Sequence, residues 1–201
     1  MNYKRILNIS LIMALFCVFQ TTAVRAQETN HTSITVVLDD NYPPYVFRGA
    51  DGAVQGILPD QWALWSRKTG VSVDLRAMDW GAALRAMREG RADVIDTAFY
   101  TPERDLYMDF SNPYAEIEVP VFFDKSLSGI GGVRDLRGFV VGVKDGDACI
   151  DILEKHGVSS LKKYPSYESI VHAAGEGEIH VFCIDKPPAV YYLYRAGLET
   201  A

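Results

Sequence analysis

After residue 32 the chain alternates between short apolar runs and longer segments that have one apolar face. The short runs are rich in Val, Ile and Leu, which is typical of buried strands, whereas the longer segments repeat apolar residues at helical spacing. Proline and glycine mark the predicted start and end of the first helix, at Pro59 and Gly70. The pattern predicts strands at 33–38, 71–78 and 92–99 and helices at 59–70 and 80–90.

A second series of the same kind follows an extended run at 116–124. Strands that alternate with helices through short connections indicate a parallel sheet covered by helices. Two such series in tandem predict two α/β lobes with a hinge near 117–123. In the second series the pattern predicts strands at 139–143, 160–164 and 179–185 and helices at 147–157, 166–177 and 187–197.

The stretch Thr-Pro-Glu-Arg at 101–104 follows the last predicted strand of the first series. A residue that precedes proline is disfavoured in the helical region, so a chain break is predicted at Thr101. Ligands of open α/β sheets collect at the carboxyl ends of strands. Arg104 is therefore a candidate ligand contact, and a solvated loop arginine is the alternative from these residues alone.

The first 26 residues have the features of a signal peptide that is removed on export. Lys4 and Arg5 give a positively charged start, an apolar stretch covers 6–19, and small residues stand at the cleavage positions within 24–26. The apolar stretch is short for a membrane span, and an uncleaved anchor is the alternative. Cleavage by the Sec pathway predicts a periplasmic protein without a membrane insertion of its own.

Charge and cysteine content narrow the expected partners of the exported chain. Cleavage would leave 17 basic and 26 acidic residues, a net charge of −9, which argues against nucleic acid and anionic lipid. Cys149 and Cys183 would remain, and in an oxidising compartment they could pair, although spacing alone does not decide it. The sequence has no ligand spacing typical of a metal site, so no metal or other cofactor is expected.

Nine short motifs in register resemble the family 3 bacterial periplasmic solute-binding proteins, which are polar amino-acid and opine receptors of ABC importers. The resemblance covers about residues 33 to 197. The motifs are Tyr-Pro-Pro-Tyr (42–45), Asp-Gly with a following Gly56, Asp79-Trp80, ALRAMREGRADV, TPER, DFSNPY, DLRG, VVGVKDGD and Ile-Asp (184–185).

The resemblance implies a type II clamshell, an α/β fold whose two lobes are sheets flanked by helices and close on a small ligand. It implies lobe 1 at 27–118 and lobe 2 at 119–201. It also implies a non-catalytic protein without a cofactor, which binds an amino-acid-like solute and delivers it to an ABC permease.

Five residues match ligand-contacting positions of the family. Arg104 matches the arginine that grips the ligand α-carboxylate, and Asp185 matches the acid that holds the α-ammonium. Tyr42 and Trp80 match the aromatic walls of the cleft, and Asp39 matches a polar group beneath it. A guanidinium suits a carboxylate bidentately, so the chemistry of Arg104 agrees with the role that the resemblance implies.

The second-lobe loop contains a departure from the family pattern. Lys144, Gly146 and Asp147 match the loop that faces the ligand, but Asp147 replaces the usual Ser or Thr. Its carboxylate is expected to cap its own helix, with ligand contact as the alternative. In either case it adds negative charge beside Lys144, which disfavours aspartate or glutamate as the ligand.

Phe99 is a second departure, because the family has a hydroxyl donor shortly before the arginine. Either Phe99 narrows the pocket or the ligand is not a standard amino acid. Family members also continue beyond the position of Ala201 with a second hinge crossing and closing helices on lobe 1. These are missing here, so lobe 1 is expected to be incomplete and lobe 2 nearly complete, as in a truncated product or the front of a longer sensor.

Three classes of function follow from these patterns. A solute receptor is the leading interpretation, and the extracytoplasmic domain of a signalling receptor, a histidine kinase or diguanylate cyclase, is its alternative. The same fold hosts periplasmic dehydratases of cyclic acids, but no acid in the sequence has a recognisable base partner. A purely structural role would leave Tyr42, Trp80, Arg104 and Asp185 without a joint purpose.

Overall fold

The computed structural model describes residues 32–198, so the predicted signal peptide at 1–26 lies outside the described residues. Strands and helices alternate along the chain, as the hydrophobic pattern predicts. The strands are β1 (Ser33–Asp39), β2 (Asn41–Tyr42), β3 (Val46–Arg48), β4 (Val54–Gln55), β5 (Ser72–Met78), β6 (Val94–Ile95), β7 (Val121–Phe123), β8 (Val141–Lys144), β9 (Leu161–Tyr164) and β10 (Val181–Cys183). The helices are α1 (Ile57–Thr69), α2 (Trp80–Arg88), α3 (Ala148–Lys155), α4 (Tyr167–Gly175) and α5 (Lys186–Arg195), with short 3₁₀ helices at Arg104–Leu106 and Val133–Leu136.

The first sheet has the order β5-β1-β6, and all of its strands are parallel. β1 pairs with β5 along its whole length, from Ser33 beside Ser72 to Asp39 beside Met78. Val36, Val37 and Leu38 of β1 are fully buried, because helices cover both faces of the sheet. A small antiparallel sheet of β2, β3 and β4 follows β1 and carries Tyr42.

The second sheet has the order β7-β10-β8-β9. β10 lies parallel to β8 and antiparallel to β7, and β8 also pairs in parallel with β9. A disulfide joins Cys149 in the first turn of α3 to Cys183 at the end of β10, with their Cα atoms 6.6 Å apart. The pairing that spacing alone left open is thus formed.

The two sheets with their helices confirm the α/β architecture that the sequence predicts. Both belong to one compact unit that begins at Thr32. Tyr164, Tyr167 and Ile170 of the second series pack in the same apolar cluster as Val36 and Leu38 of β1. Lobe boundaries at 27–118 and 119–201 stay a prediction. Within residues 32–198 no helix is long and apolar enough to cross a membrane.

The first helix begins earlier than predicted. α1 starts at Ile57 and Pro59 lies in its first turn, where backbone N–H groups lack intrahelical acceptors and proline is tolerated. Gly56 precedes the helix with φ of 129°, and a Cβ atom there would lie 2.4 Å from the carbonyl oxygen of Tyr45. Only glycine fits this approach, which fixes the loop that carries Tyr42 and Tyr45 against the helix.

Three predicted extended segments form much shorter strands than the apolar pattern indicated, and one of them is 179–185, which forms a strand only at Val181–Cys183. The run at 92–99 forms a strand only at Val94–Ile95, and the run at 116–124 only at Val121–Phe123. The first run leaves the sheet at Thr97, whose φ of 63° is unusual for a β-branched residue. Asp96 directs this turn, because its carboxylate accepts hydrogen bonds from the Thr97 N–H and from Trp62 Nε1.

Candidate functional site

A cleft lies where the carboxyl ends of the parallel strands meet the starts of the following helices. This is the position at which open α/β sheets bind ligands. Seven of the eight candidate residues line the cleft, and three further residues, Thr97, Ala148 and Tyr167, complete it. The candidates that line it are Asp39, Tyr42, Trp80, Phe99, Arg104, Asp147 and Asp185.

Arg104 is buried on the side of the cleft formed by the first series. It lies in the short 3₁₀ helix, where its backbone N–H donates to Thr101 Oγ1, so the Thr-Pro turn sets its position. Its guanidinium donates to the carbonyl oxygens of Phe99 at 2.7 Å and Gly146 at 2.8 Å. The guanidinium also lies 5.4 Å from the ring centroid of Trp80, within the range of a cation–π interaction.

Gly146 receives two donors from the opposite side of the cleft. Its carbonyl oxygen accepts hydrogen bonds from Arg104 and from Trp80 Nε1, the latter at 3.1 Å. The residue has φ of 72°, and a Cβ atom there would lie 3.1 Å from Leu84. A side chain at Gly146 would therefore strain the contact that joins the two sides.

Lys144 is placed differently from the expectation that it faces a ligand. It does not line the cleft; its ammonium group forms an ion pair with Asp39, and both side chains are almost fully buried. The ammonium also lies 4.5 Å from the ring centroid of Tyr167. Burial raises the pKa of Asp39, and the charge of Lys144 opposes that rise.

Asp147 caps α3, which confirms the expectation for this residue. Its Oδ1 accepts the backbone N–H of Cys149 at 2.8 Å, and its Oδ2 accepts the hydroxyl of Tyr167 at 2.6 Å. The carboxylate also lines the cleft. Capping and a position in the cleft are therefore compatible at this residue.

Asp185 lies at the start of α5 and is almost fully buried. Its Oδ2 accepts the hydroxyl of Tyr42 at 2.7 Å and has a longer contact of 3.4 Å with the hydroxyl of Tyr167. Its Oδ1 is buried and has no hydrogen-bond partner among residues 32–198. Burial, followed by the charge of Asp147, raises the pKa of Asp185 to about 7.

The sequence patterns did not predict Tyr167, whose hydroxyl contacts two of the predicted cleft residues, Asp147 and Asp185. It is the first residue of α4, and Ser166 before it forms a capping box with Ser169. Asp147 also lies at a helix start that follows a strand end, so the signal that marked Asp147 would have identified Tyr167 as well. Among residues 32–198 no cluster of three or more potential metal ligands occurs.

Comparison with known proteins identifies the family. The profile of the bacterial extracellular solute-binding proteins, family 3, matches residues 34–179. The chain belongs to this family. It is 31% identical to the L-cystine-binding protein TcyJ of Escherichia coli strain K12 over 113 residues, which cover 55% of this chain and 42% of that protein.

Two further similarities extend the comparison. Identity to the arginine-binding extracellular protein ArtP of Bacillus subtilis strain 168 is 26% over 141 residues, 68% of this chain and 54% of ArtP. The chain thus spans about half the length of the curated relatives that it matches. A histidine kinase sensor domain with similarity to periplasmic binding proteins superposes with a TM-score of 0.77 at 23% identity, covering 84% of this chain and 74% of that domain. At this identity the likeness concerns the fold.

Proposed function

We propose that the protein binds an amino-acid-like zwitterion in this cleft, in the periplasm, and delivers it to an ABC importer. The observation that carries the proposal is that one cleft holds both a buried guanidinium, Arg104, and a buried carboxylate, Asp185, whose Oδ1 lacks a partner among residues 32–198. A buried acceptor without a partner is costly, and an ammonium group supplies the missing donor.

Arg104 supplies the complementary half of the recognition. Its two donors currently meet neutral carbonyl oxygens, those of Phe99 and Gly146. A ligand carboxylate is a stronger acceptor than a carbonyl oxygen, because it carries a negative charge and can accept two parallel guanidinium N–H bonds. Exchange of the Gly146 contact for a ligand carboxylate is therefore favourable, and Trp80 holds the guanidinium plane during the exchange.

The charge balance of the cleft favours a ligand that is not acidic. Asp39 is already paired with Lys144, so Asp147 and Asp185 are the acids of the cleft that no ion pair neutralises among residues 32–198. A second carboxylate on the ligand would meet these acids, whereas a neutral or basic side chain would not. The relative that is named for binding arginine is consistent with this preference.

Closure of the two lobes around the ligand is the proposed output, without chemical conversion. Residues of the second series are contacted across the cleft by Tyr42, Trp80 and Arg104. A ligand that binds to both sides at once shifts the equilibrium between the open and closed forms toward the closed form. A sensing role would use the same closure. The fold-level likeness to a kinase sensor domain makes that role the alternative outcome of the tests below.

A thermal-shift screen of the purified protein against amino acids, opines and cyclic carboxylic acids tests the proposal. A ligand at a hundred times its dissociation constant adds about 2.7 kcal/mol and should raise the melting temperature by roughly 5–10 °C. Arg104→Ala should abolish the shift, whereas Arg76→Ala, which changes an exposed arginine paired with Asp74, should retain it. Equal shifts in both variants would contradict the assignment of Arg104.

Two follow-up measurements separate the alternatives once a ligand is known. Cells that lack the gene should take up less of the labelled ligand if the protein serves an importer, and unchanged uptake would indicate the sensing role. Incubation of the protein with prephenate-like cyclic acids should leave them unchanged. Product formation that Asp185→Asn abolishes would establish a dehydratase instead.

A further inference from the structure

We propose that the Cys149–Cys183 disulfide is a positioning element of the ligand cleft. It holds Asp147 and Asp185 at the separation that the ligand requires, and does more than stabilise the second sheet. The inference rests on the proposed function for its effect on affinity. Its effect on the spacing of the two acids stands independently of any ligand.

The disulfide lies at equal distance in sequence from Asp147 and Asp185, two of the three acids that line the cleft. Cys149 follows Asp147 by two residues, and Cys183 precedes Asp185 by two residues. The backbone N–H of Cys149 donates to Asp147 Oδ1 at 2.8 Å. A displacement of either cysteine is therefore transmitted to a cleft carboxylate through two residues of backbone or one hydrogen bond.

The sheet itself does not provide this connection. The ladder between β10 and β8 pairs Val181 with Val141 and Phe182 with Gly142. Further along, β8 pairs with β9, with Val143 opposite Lys163 and Lys144 opposite Tyr164. β10 and β8 thus part before they reach the cleft, and the disulfide joins the two paths beyond the last residue pair of the ladder.

Repulsion between the carboxylates of Asp147 and Asp185 is opposed by the covalent connection. Asp147 and Asp185 are buried, and like charges in a low-dielectric environment repel. Tyr167 contacts both acids, but a hydroxyl has a single proton, and the shorter contact of 2.6 Å gives it to Asp147. Tyr167 alone therefore does not hold the pair together, whereas the disulfide opposes their separation.

The surroundings of the disulfide indicate that it stays formed in the folded protein. Cys149 and Cys183 lie in an apolar cluster with Leu136, Val141 and Leu153, and their exposed fractions are 1% and 3%. A reductant does not reach such a bond in the folded protein. The test therefore replaces the cysteines and does not reduce them.

The experiment compares Cys149→Ala/Cys183→Ala with Leu153→Ala in the full chain. Leu153 lies one helical turn after Cys149 in the same cluster, so its truncation destabilises the second lobe without touching the connection. The titration of Asp185 is followed by carbon NMR, and the affinity for L-arginine is measured by calorimetry. Unfolding midpoints report the stability of each variant.

The cysteine variant should lower the titration midpoint of Asp185, because Asp147 moves away, and should weaken L-arginine binding about tenfold, equivalent to about 1.4 kcal/mol. Leu153→Ala should change the unfolding midpoint alone. If both variants lower only the unfolding midpoint, the disulfide is merely structural and the proposal is wrong.

Two further outcomes are distinguishable. If L-arginine does not bind the unaltered protein, the proposed function fails for this ligand, while the Asp185 titration still decides the positioning role. If the alanine pair does not fold, Cys149→Val/Cys183→Ala restores apolar volume in the cluster without the bond. An unchanged Asp185 midpoint in that variant would overturn the proposal.

Discussion

The hydroxyl of Tyr42 donates a hydrogen bond of 2.7 Å to Asp185, and the two residues lie 143 positions apart in sequence. Tyr42 follows β1 in the first series, whereas Asp185 begins the last helix of the second. Both side chains are buried, so the bond has no competition from bulk water. A contact between an aromatic residue and an acid that both line the cleft thus joins its two sides.

Tyr42→Phe should destabilise the ligand-free protein through loss of this bond. The ring and its stacking on Tyr45 are kept, while Asp185 Oδ2 retains only the longer contact with Tyr167. A buried hydrogen bond to an ionisable group contributes about 1–3 kcal/mol, so the free energy of unfolding in urea should fall by that amount. Tyr194→Phe, at an exposed position, is the control and should change little. Equal losses in both variants would show that the bond contributes nothing specific.

The stability of the ligand-free protein should depend on pH through Asp185. Its pKa is raised from 3.8 to about 7, by burial and then by Asp147, so the folded state binds a proton that the unfolded state releases between these values. The unfolding free energy should therefore rise as pH falls from 7 toward 4, by at most about 1.4 kcal/mol per pH unit from this group. Well above pH 7 the carboxyl is ionised in both states, so its contribution no longer changes with pH.

Asp185→Asn isolates this effect, since other groups also titrate in the same range. The difference in unfolding free energy between the two proteins should change with pH below 7 and level off above it. Affinity for a cationic ligand group should follow the opposite trend and strengthen as pH rises through 7, because the ionised carboxylate binds it. A constant difference between the proteins from pH 4 to 8 would contradict the raised pKa.

Removal of one partner of the Lys144–Asp39 ion pair should strongly lower the free energy of unfolding. Lys144→Met leaves Asp39 buried without its partner, and loss of one member of a buried pair costs about 3–5 kcal/mol. The double variant Lys144→Met/Asp39→Leu should regain most of that loss, because no uncompensated charge remains. Urea unfolding of the four proteins gives the coupling free energy.

An exposed pair provides the comparison for this cycle. Arg88 and Glu103 are in contact at 2.8 Å with side chains more than half exposed, so their coupling should be below about 1 kcal/mol. Coupling of equal size in both cycles would show that burial does not strengthen the Lys144–Asp39 interaction.

Local patterns account for most of the fold and for much of the cleft. Strand periodicity, proline and glycine positions predict the order of the elements, and residues at strand ends and helix starts fall in one place because parallel strands share an edge. Arg104 was predicted in this way, whereas Tyr42 and Asp185 were assigned through the resemblance to the family. The cap formed by Asp147 was also predictable, since it depends on the helix that Asp147 itself begins.

Contacts between distant parts of the chain explain what local patterns did not predict. Lys144 pairs with Asp39, 105 residues away, and nothing near either residue in sequence indicates the other. The strand predicted at 92–99 ends after Ile95 because Asp96 bonds Trp62 and Tyr114, which come from other segments. In each case a tertiary hydrogen bond overrides the local preference.

Phe99 offers the final prediction, because it stands where the family has a hydroxyl donor. Its carbonyl oxygen accepts a hydrogen bond from Arg104, and this backbone contact does not require the ring. The residue also lines the cleft, so its ring limits the space beside the guanidinium. Phe99→Ser should therefore keep Arg104 in place, widen the pocket and add a donor for a ligand carboxylate.

We expect Phe99→Ser to shift preference toward ligands with longer side chains, since each methylene that enters an apolar pocket changes affinity by about tenfold or more. Thermal shifts across a series from glycine to arginine and phenylalanine measure the change in rank order. Phe110→Ser is the matched control, because the Phe110 ring packs on Tyr100 and does not line the cleft. An identical rank order in both variants would show that the Phe99 ring does not limit which ligand side chains the pocket accepts.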